Sequence, residues 1–390
     1  MSTHILALTG GRVLPIDAEP LDDGVVIVTD GRISAVGDAT TPIPDGAEIV
    51  DATGKWIVPG LIDAHVHLGV HEEGEGWAGQ DTNEMTDPVT AHVRAIDAIN
   101  PAEIGFADAV AAGVLAVNVN PGSGNPIGGQ TIALKCVGRT VDEMALRAPS
   151  GLKSALGENP KRVYGEKKQT PSTRLGTAAV IRGAFVDAAN YKARHAAAEE
   201  GKPVDRDLKL EALVAVLDRR IPWRQHCHRA DDIATAMRIA EEFGYELVID
   251  HGTEAHLLAD IIAEKNIPVI IGPLMVSRSK VEVRNRSIEN PGLLAAAGVT
   301  IAITTDHPVV PIGHLVHQAA FAVKEGLDRK VAMESLTINP ARIMGVDDRL
   351  GSLTVGKDAD FCVWSGDPLD VYSRVEVAYV DGEEVYRHQP

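Results

Sequence analysis

Residues 58–70 read VPGLIDAHVHLGV, an apolar run that ends in two histidines with one residue between them. Side chains alternate between the faces of a β-strand, so residues two apart point the same way. If the run is a strand, His65 and His67 reach one side of it, close enough to share one ion. Two ordinary polar residues at a strand end would give the same pattern. The meaning of the pair therefore depends on the rest of the chain.

Downstream, helix and strand signals alternate. In PAEIGFADAVAAG, Ile104, Ala107 and Ala111 sit at helical spacing and Gly113 is placed to end the helix; VLAVNVN follows as a strand. In DDIATAMRIAEEFG, Ile233, Ala236, Met237 and Ala240 form a helical stripe, with Asp231 or Asp232 as cap and Gly244 as stop. Strand ELVID, helix EAHLLADIIAEKN and strand PVIIG come next, then Pro291 in a first turn, Gly298, and strand TIAITTD. This βαβα succession predicts a parallel sheet covered by helices. Its length suits a (β/α)8 TIM barrel, typically ~250 residues. A doubly wound open sheet is the rival, disfavoured because no G-x-G-x-x-G follows the first strand.

The two chain ends share a different grammar. DDGVVIVTDGRISAVG holds two β-rich runs joined at Asp-Gly, and GAEIVDATGKWIVPG, GSLTVGKDADFCVWSGDP and VEVAYVDGEEVYR repeat short strands and tight turns. The expected organisation is a small β-sandwich from residues 1–58 and 346–390, flanking a barrel over 59–345.

Composition narrows the function. With 55 acidic against 37 basic residues the net charge is -18, which repels phosphate backbones and anionic membranes, so neither nucleic acid nor a membrane is an expected partner. Cys136, Cys227 and Cys362 are too few and too scattered for a disulfide framework and suit a reducing, cytoplasmic setting. No signal-peptide pattern opens the chain, and no apolar run of ~18 residues predicts a membrane span.

Histidines gather at strand ends. His65 and His67 end the first strand; His226, with His228 two residues on, ends IPWRQHCH; His251 ends ELVIDH; Asp306, followed by His307, ends IAITTDH. In a (β/α)8 barrel the C-terminal strand ends converge on one mouth, where active sites lie. One histidine at a strand end is most often structural. Four, with an aspartate, delivered by four separate strands form a metal-ligating pattern.

These motifs resemble the amidohydrolase superfamily of metal-dependent hydrolases over almost the whole chain. GLIDAHVH resembles its first-strand signature, GSLTVGKDADFCVW its closing β-module segment, TINPARIMG the preceding helix, and HCHRADDI the fifth-strand motif of imidazolonepropionase-like and prolidase-like members. The resemblance implies that His65, His67 and Asp306 hold one divalent transition metal, and His226 and His251 a second. Zinc is the first expectation, with iron or manganese as alternatives. It also implies a bridging anion, often a lysine carboxylated by carbon dioxide on the fourth strand. Lys153, in SGLKSALGENP, is preferred for that role; Glu158 is the rival, and Lys135 a weaker third.

The implied chemistry is hydrolysis of an amide or cyclic-amide C–N bond of a small molecule. A metal-bound water, its pKa lowered from ~15.7 to near 7, would attack, with Asp306 passing its proton to the leaving nitrogen. His228 and Arg229 are candidate substrate contacts, a cation there suiting a carboxylate. His71 and His307 are candidate supports of the ligands, Cys227 a packing residue, and NPGSGNPIGGQ a turn at the mouth. Two alternatives stand beside this reading. One is a mononuclear deaminase or imidazolone-type hydrolase, weakened because Arg229 replaces the glutamate three residues after His226 that such members carry. The other is a non-catalytic scaffold with the same fold, which would be expected to have lost ligands. A homo-oligomer is expected from the family.

Overall fold

In the computed structural model, which describes residues 4–198 and 205–389, the chain forms two eight-stranded sheets. Strands β1 (Ile5–Val13), β2 (Leu21–Thr29), β3 (Arg32–Asp38), β4 (Glu48–Asp51) and β5 (Trp56–Pro59) open the first sheet. The second follows at once: β6 (Leu61–Val66), β7 (Val114–Val119), β8 (Ile127–Lys135), β9 (Ala145–Ala155), β10 (Trp223–Cys227), β11 (Leu247–His251), β12 (Val269–Ile271) and β13 (Ile301–Ile303). The chain then returns to the first sheet through β14 (Phe361–Trp364), β15 (Val375–Val380) and β16 (Glu383–Arg387).

Hydrogen bonding runs through the terminal sheet in the order β16-β15-β14-β5-β1-β2-β3, with β4 beside β1. The join between the two chain ends is the antiparallel pairing of β14 with β5, from Trp364 on Trp56 to Phe361 on Pro59. The sheet encloses its own small core, in which Leu8 and Val26 from one end of the chain pack with Phe361 and Tyr379 from the other.

The second sheet is a nearly closed barrel with one departure from the expected alternation. Strand β8 runs antiparallel to both β7 and β9. The turn NPGSGNPIGGQ makes this possible, because it reverses the chain directly, where a parallel pair would need a helical crossover. The remaining neighbours pair in parallel. Between β13 and β6 the ladder is replaced by other contacts. Ile303 and Ile62 donate their N–H groups to Ser335 and Leu336 carbonyls, at 3.1 and 2.7 Å. Above them, the buried Asp63 carboxylate accepts from the N–H and hydroxyl of Thr305 and the hydroxyl of Thr304.

The barrel floor is apolar: Ile62, Ala64, Ala116, Val248, Ile270 and Ala302 meet Met344 from the helix Ile338–Met344. Leu61, Val117, Trp223 and Ile249 pack instead with the surrounding helices. Burial on both faces is what the near-continuous apolar strands require. Helix Ala230–Phe243 presents the anticipated stripe and ends at Gly244 in the left-handed conformation. Its cap differs from expectation. Arg229 holds the N-cap position, and Asp231 and Asp232 lie in the first turn, where their charge still opposes the helix dipole. The segment EAHLLADIIAEKN is a 3-10 turn, Ala255–Leu258, followed by a short helix, Ala259–Glu264. No helix among the described residues is long and apolar enough to cross a membrane.

Candidate metal centre

The strand ends meet at a cavity of about 370 Å³, lined by His65, His67, Lys153, His226, His251 and Asp306 among others. His65, from the end of β6, is wholly buried; its Nε2 lies 2.9 Å from Lys153 Nζ and 3.6 Å from an Asp306 oxygen. His67 Nε2 lies 3.3 Å from the same oxygen. The His65 ring centroid is 4.8 Å from that of His251, which is 4.5 Å from that of His226.

Backbone and buried acids aim these rings. His67 and His251 each direct Nδ1 at a carbonyl, of Asn120 and Gly272 respectively, both at 2.8 Å. A ring whose Nδ1 donates to a carbonyl leaves Nε2 as the unprotonated, ligating nitrogen. Gly272 can serve in this way because it lacks a side chain: at φ 141° an added Cβ would fall 2.4 Å from the Thr304 carbonyl oxygen. His65 Nδ1 faces Asp250 Oδ2 at 3.0 Å, and Asp250 is itself gripped by Arg224, 2.9 Å away. His251 and Asp306 both occupy the left-handed backbone region, at φ 73° and 53°, a conformation that costs such residues about 1–3 kcal/mol.

The electrostatics fit a cation. Burial pushes the His65 imidazole down to about 3 and holds His226 well below its ordinary value, so both rings are neutral, the form that binds metal. Burial raises the Asp306 carboxyl, but the surrounding His251 and His67 outweigh it and hold the group below its ordinary value. Burial brings the Lys153 ammonium down to about 8. His226 Nδ1 is buried with no hydrogen-bond partner, a donor atom left for something other than protein. Ligand atoms of His65, His251 and Asp306 all lie within 4.8 Å of one another, and so do those of His226, His228 and Glu282. The residues present therefore suit one or two divalent ions.

Other residues depart from the sequence reading. Glu158 heads the helix Glu158–Glu166 and its carboxylate is not among the groups lining the cavity; its main-chain N–H donates to Glu282 instead. Arg229 does not line the cavity either, because its guanidinium is paired with Asp231 at 2.9 Å. Lys135 sits at the opposite end of the barrel, among Asp358, Asp360 and Asp381, as β8 is reversed. His228 does line the cavity, with Nδ1 2.8 Å from the Thr253 hydroxyl. His71 lines it too, whereas His307 contributes its carbonyl, which accepts from the His67 N–H. Cys227 is buried in the helix-facing core as expected.

Sequence reasoning missed Lys280, Glu282 and Arg286, which arrive on the loop after β12. Glu282 is almost fully buried, with Lys280 Nζ at 2.7 Å and His228 Nε2 at 3.7 Å. The signal was present as four basic residues between 278 and 286 in an otherwise acidic chain.

Comparison with known proteins agrees with this architecture. The family model described as the amidohydrolase family matches residues 56–385. The amidohydrolase tasK of Hapsidospora irregularis is 31% identical over 388 residues, covering 92% of this chain but 39% of tasK. The chain likewise spans 54% of the length of a Clostridium botulinum adenine deaminase. An imidazolonepropionase of Cupriavidus taiwanensis is 26% identical, over 94% of this chain and 90% of its own. The crystal structure of an amidohydrolase from Thermotoga maritima superposes with a TM-score of 0.95 at 47% identity, covering 98% of this chain and all of the other.

Proposed function

The chain belongs to the amidohydrolase family, and on that premise we propose that it is a two-metal hydrolase cleaving an amide or cyclic-amide C–N bond of a small molecule. His65, His67 and Asp306 would hold one ion and His226 and His251 the other. When bound, such a pair supplies an activated water and polarises the scissile carbonyl. Zinc is the first choice of metal, and a cytoplasmic homo-oligomer the expected setting.

The observation that carries this reading is the placement of Lys153, on β9, with Nζ 2.9 Å from His65 Nε2. A lysine ammonium repels cations. A neutral amine, favoured here by burial, attacks the carbon of carbon dioxide, forms an N–C bond and releases one proton. The resulting carbamate is an anion with two oxygens, able to bridge two ions. With ions held there, Asp306 would accept the proton of the attacking water and return it to the leaving nitrogen. His228, which lines the same cavity, would touch substrate.

A second reading rests on Glu282, a buried carboxylate beside His226 and His228. It could supply, from another loop, the proton-transfer group of a one-ion deaminase or imidazolone-type hydrolase. Metal analysis of purified protein separates the two. Two ions per chain, with amide hydrolysis lost on chelation and regained on reloading, support the first; one ion supports the second. Protein that takes up no transition metal would leave a scaffold.

A further inference from the structure

The cavity contains a cation that the protein leaves unanswered. Of the basic side chains lining it, Lys153 is tucked against His65 and Asp250, and Lys280 is paired with Glu282. Arg286 has neither kind of partner. Among the described residues no carboxylate lies within ion-pairing distance of it. One Nη1 bond to the Leu274 carbonyl, at 3.4 Å, anchors the guanidinium, and its Nε is shielded from solvent with no acceptor.

A buried donor without an acceptor is costly, and a charge without a counter-charge beside a cavity is costlier still. The same cavity is also lined by the apolar side chains of Val276, Val283, Pro308 and Val309. The loop is itself held in place. Asn285, next in the chain, donates to Glu254 at 2.6 Å, and the Arg286 N–H bonds the Val283 carbonyl at 3.1 Å. Arg286 is thus fixed at its backbone, held at its head by one long bond to a main-chain carbonyl, and shares one cavity with His226, His251 and Asp306.

We infer that Arg286 is the specificity-determining residue of the site, and that the substrate is an amide carrying a carboxylate, which Arg286 grips while the apolar wall holds a small hydrophobic group. A guanidinium is a planar fork matched to a carboxylate, and it turns readily about its flexible stem. The cation sought at Arg229 from sequence is supplied by Arg286. The inference rests on the hydrolase reading for turnover, but recognition of the anion can be measured without it.

The test uses the metal-loaded full chain and matched pairs: N-acetyl-valine against N-acetyl-valinamide, and carboxylated against carboxamide-capped cyclic amides. Calorimetric binding is measured alongside hydrolysis. The carboxylates should bind roughly 10- to 100-fold more tightly than their amides, as one charge-assisted hydrogen-bonded contact provides. Arg286→Met should erase that ratio, acting mainly through KM where turnover occurs, and Arg286→Lys should keep part of it. A residue that only shaped the loop would not change the carboxylate-to-amide ratio. A ratio unchanged in Arg286→Met, or equal or absent binding of both partners by the native protein, overturns the inference. Binding selectivity lost in Arg286→Met while no compound is hydrolysed supports it and counts against the hydrolase reading alone.

Discussion

The Asp250 carboxylate faces His65 Nδ1 at 3.0 Å and Arg224 Nη2 at 2.9 Å, with all three side chains fully buried. An acid behind a ligating imidazole fixes its orientation and strengthens it as a donor. Asp250→Asn should therefore lower metal affinity by about 10- to 100-fold, measured by competition with a chromophoric chelator. Asp250→Ala also strands the Arg224 charge and should cost about 3–5 kcal/mol of stability in chemical denaturation. Native metal affinity in the asparagine variant would remove Asp250 from the site.

Asp306 combines a strained backbone with a carboxylate touching two imidazoles. Asp306→Asn should reduce turnover by at least about 10²–10⁴-fold, the value of a positioned proton carrier, while metal content is largely kept. Unchanged turnover would assign the proton to another group.

If Lys153 bridges as a carbamate, carbon dioxide becomes a requirement for assembly. Apo-protein reloaded in rigorously degassed buffer should bind fewer ions than protein reloaded with bicarbonate, and Lys153→Met should show no response to bicarbonate. Equal loading in both buffers would leave Lys153 a plain amine.

Lys135 joins the barrel to the terminal sheet through Asp358, Asp360 and Asp381, at 2.7–2.9 Å. Lys135→Met leaves these acids facing one another and should destabilise the protein by about 3–5 kcal/mol at pH 7. The loss should shrink on acidification. Burial raises the Asp360 carboxyl to about 6 in the folded chain, above its ordinary value of 3.8. A raised carboxyl binds its proton more tightly when folded, so its ionisation penalises the fold as pH climbs through that interval. Without Lys135 that penalty grows and persists to higher pH. Thermal unfolding at pH 5 and pH 7 checks it: a deficit independent of pH would contradict the account.

Much of this arrangement was legible in the chain. Residue period and cap signals placed β6, β7, β10, β11 and the helix Ala230–Phe243, because each is a local pattern of burial. The histidines at their ends followed from the barrel rule that strand termini converge. What stayed hidden depends on direction and on distant partners. The reversal of β8 changes no local spacing, so Lys135 could not be told from a mouth lysine. Glu158 stands five residues after Lys153, but the intervening turn and helix start carry its side chain away from the cavity. Arg229 looked like a substrate cation until Asp231, two residues on, claimed it. The loop bearing Arg286 lacks period of any kind, and only its basic cluster set it apart.

The inverted run of β8 gives one strand two jobs. Ile127 pairs with Ser154 at the rim, while Lys135, eight residues away, is locked to the acids of the terminal sheet. A shift of this whole strand by one residue would unseat the clasp beneath and displace the rim above together. The terminal sheet is thus tied through one strand to the rim of the cavity, although none of the described residues lining that cavity comes from it.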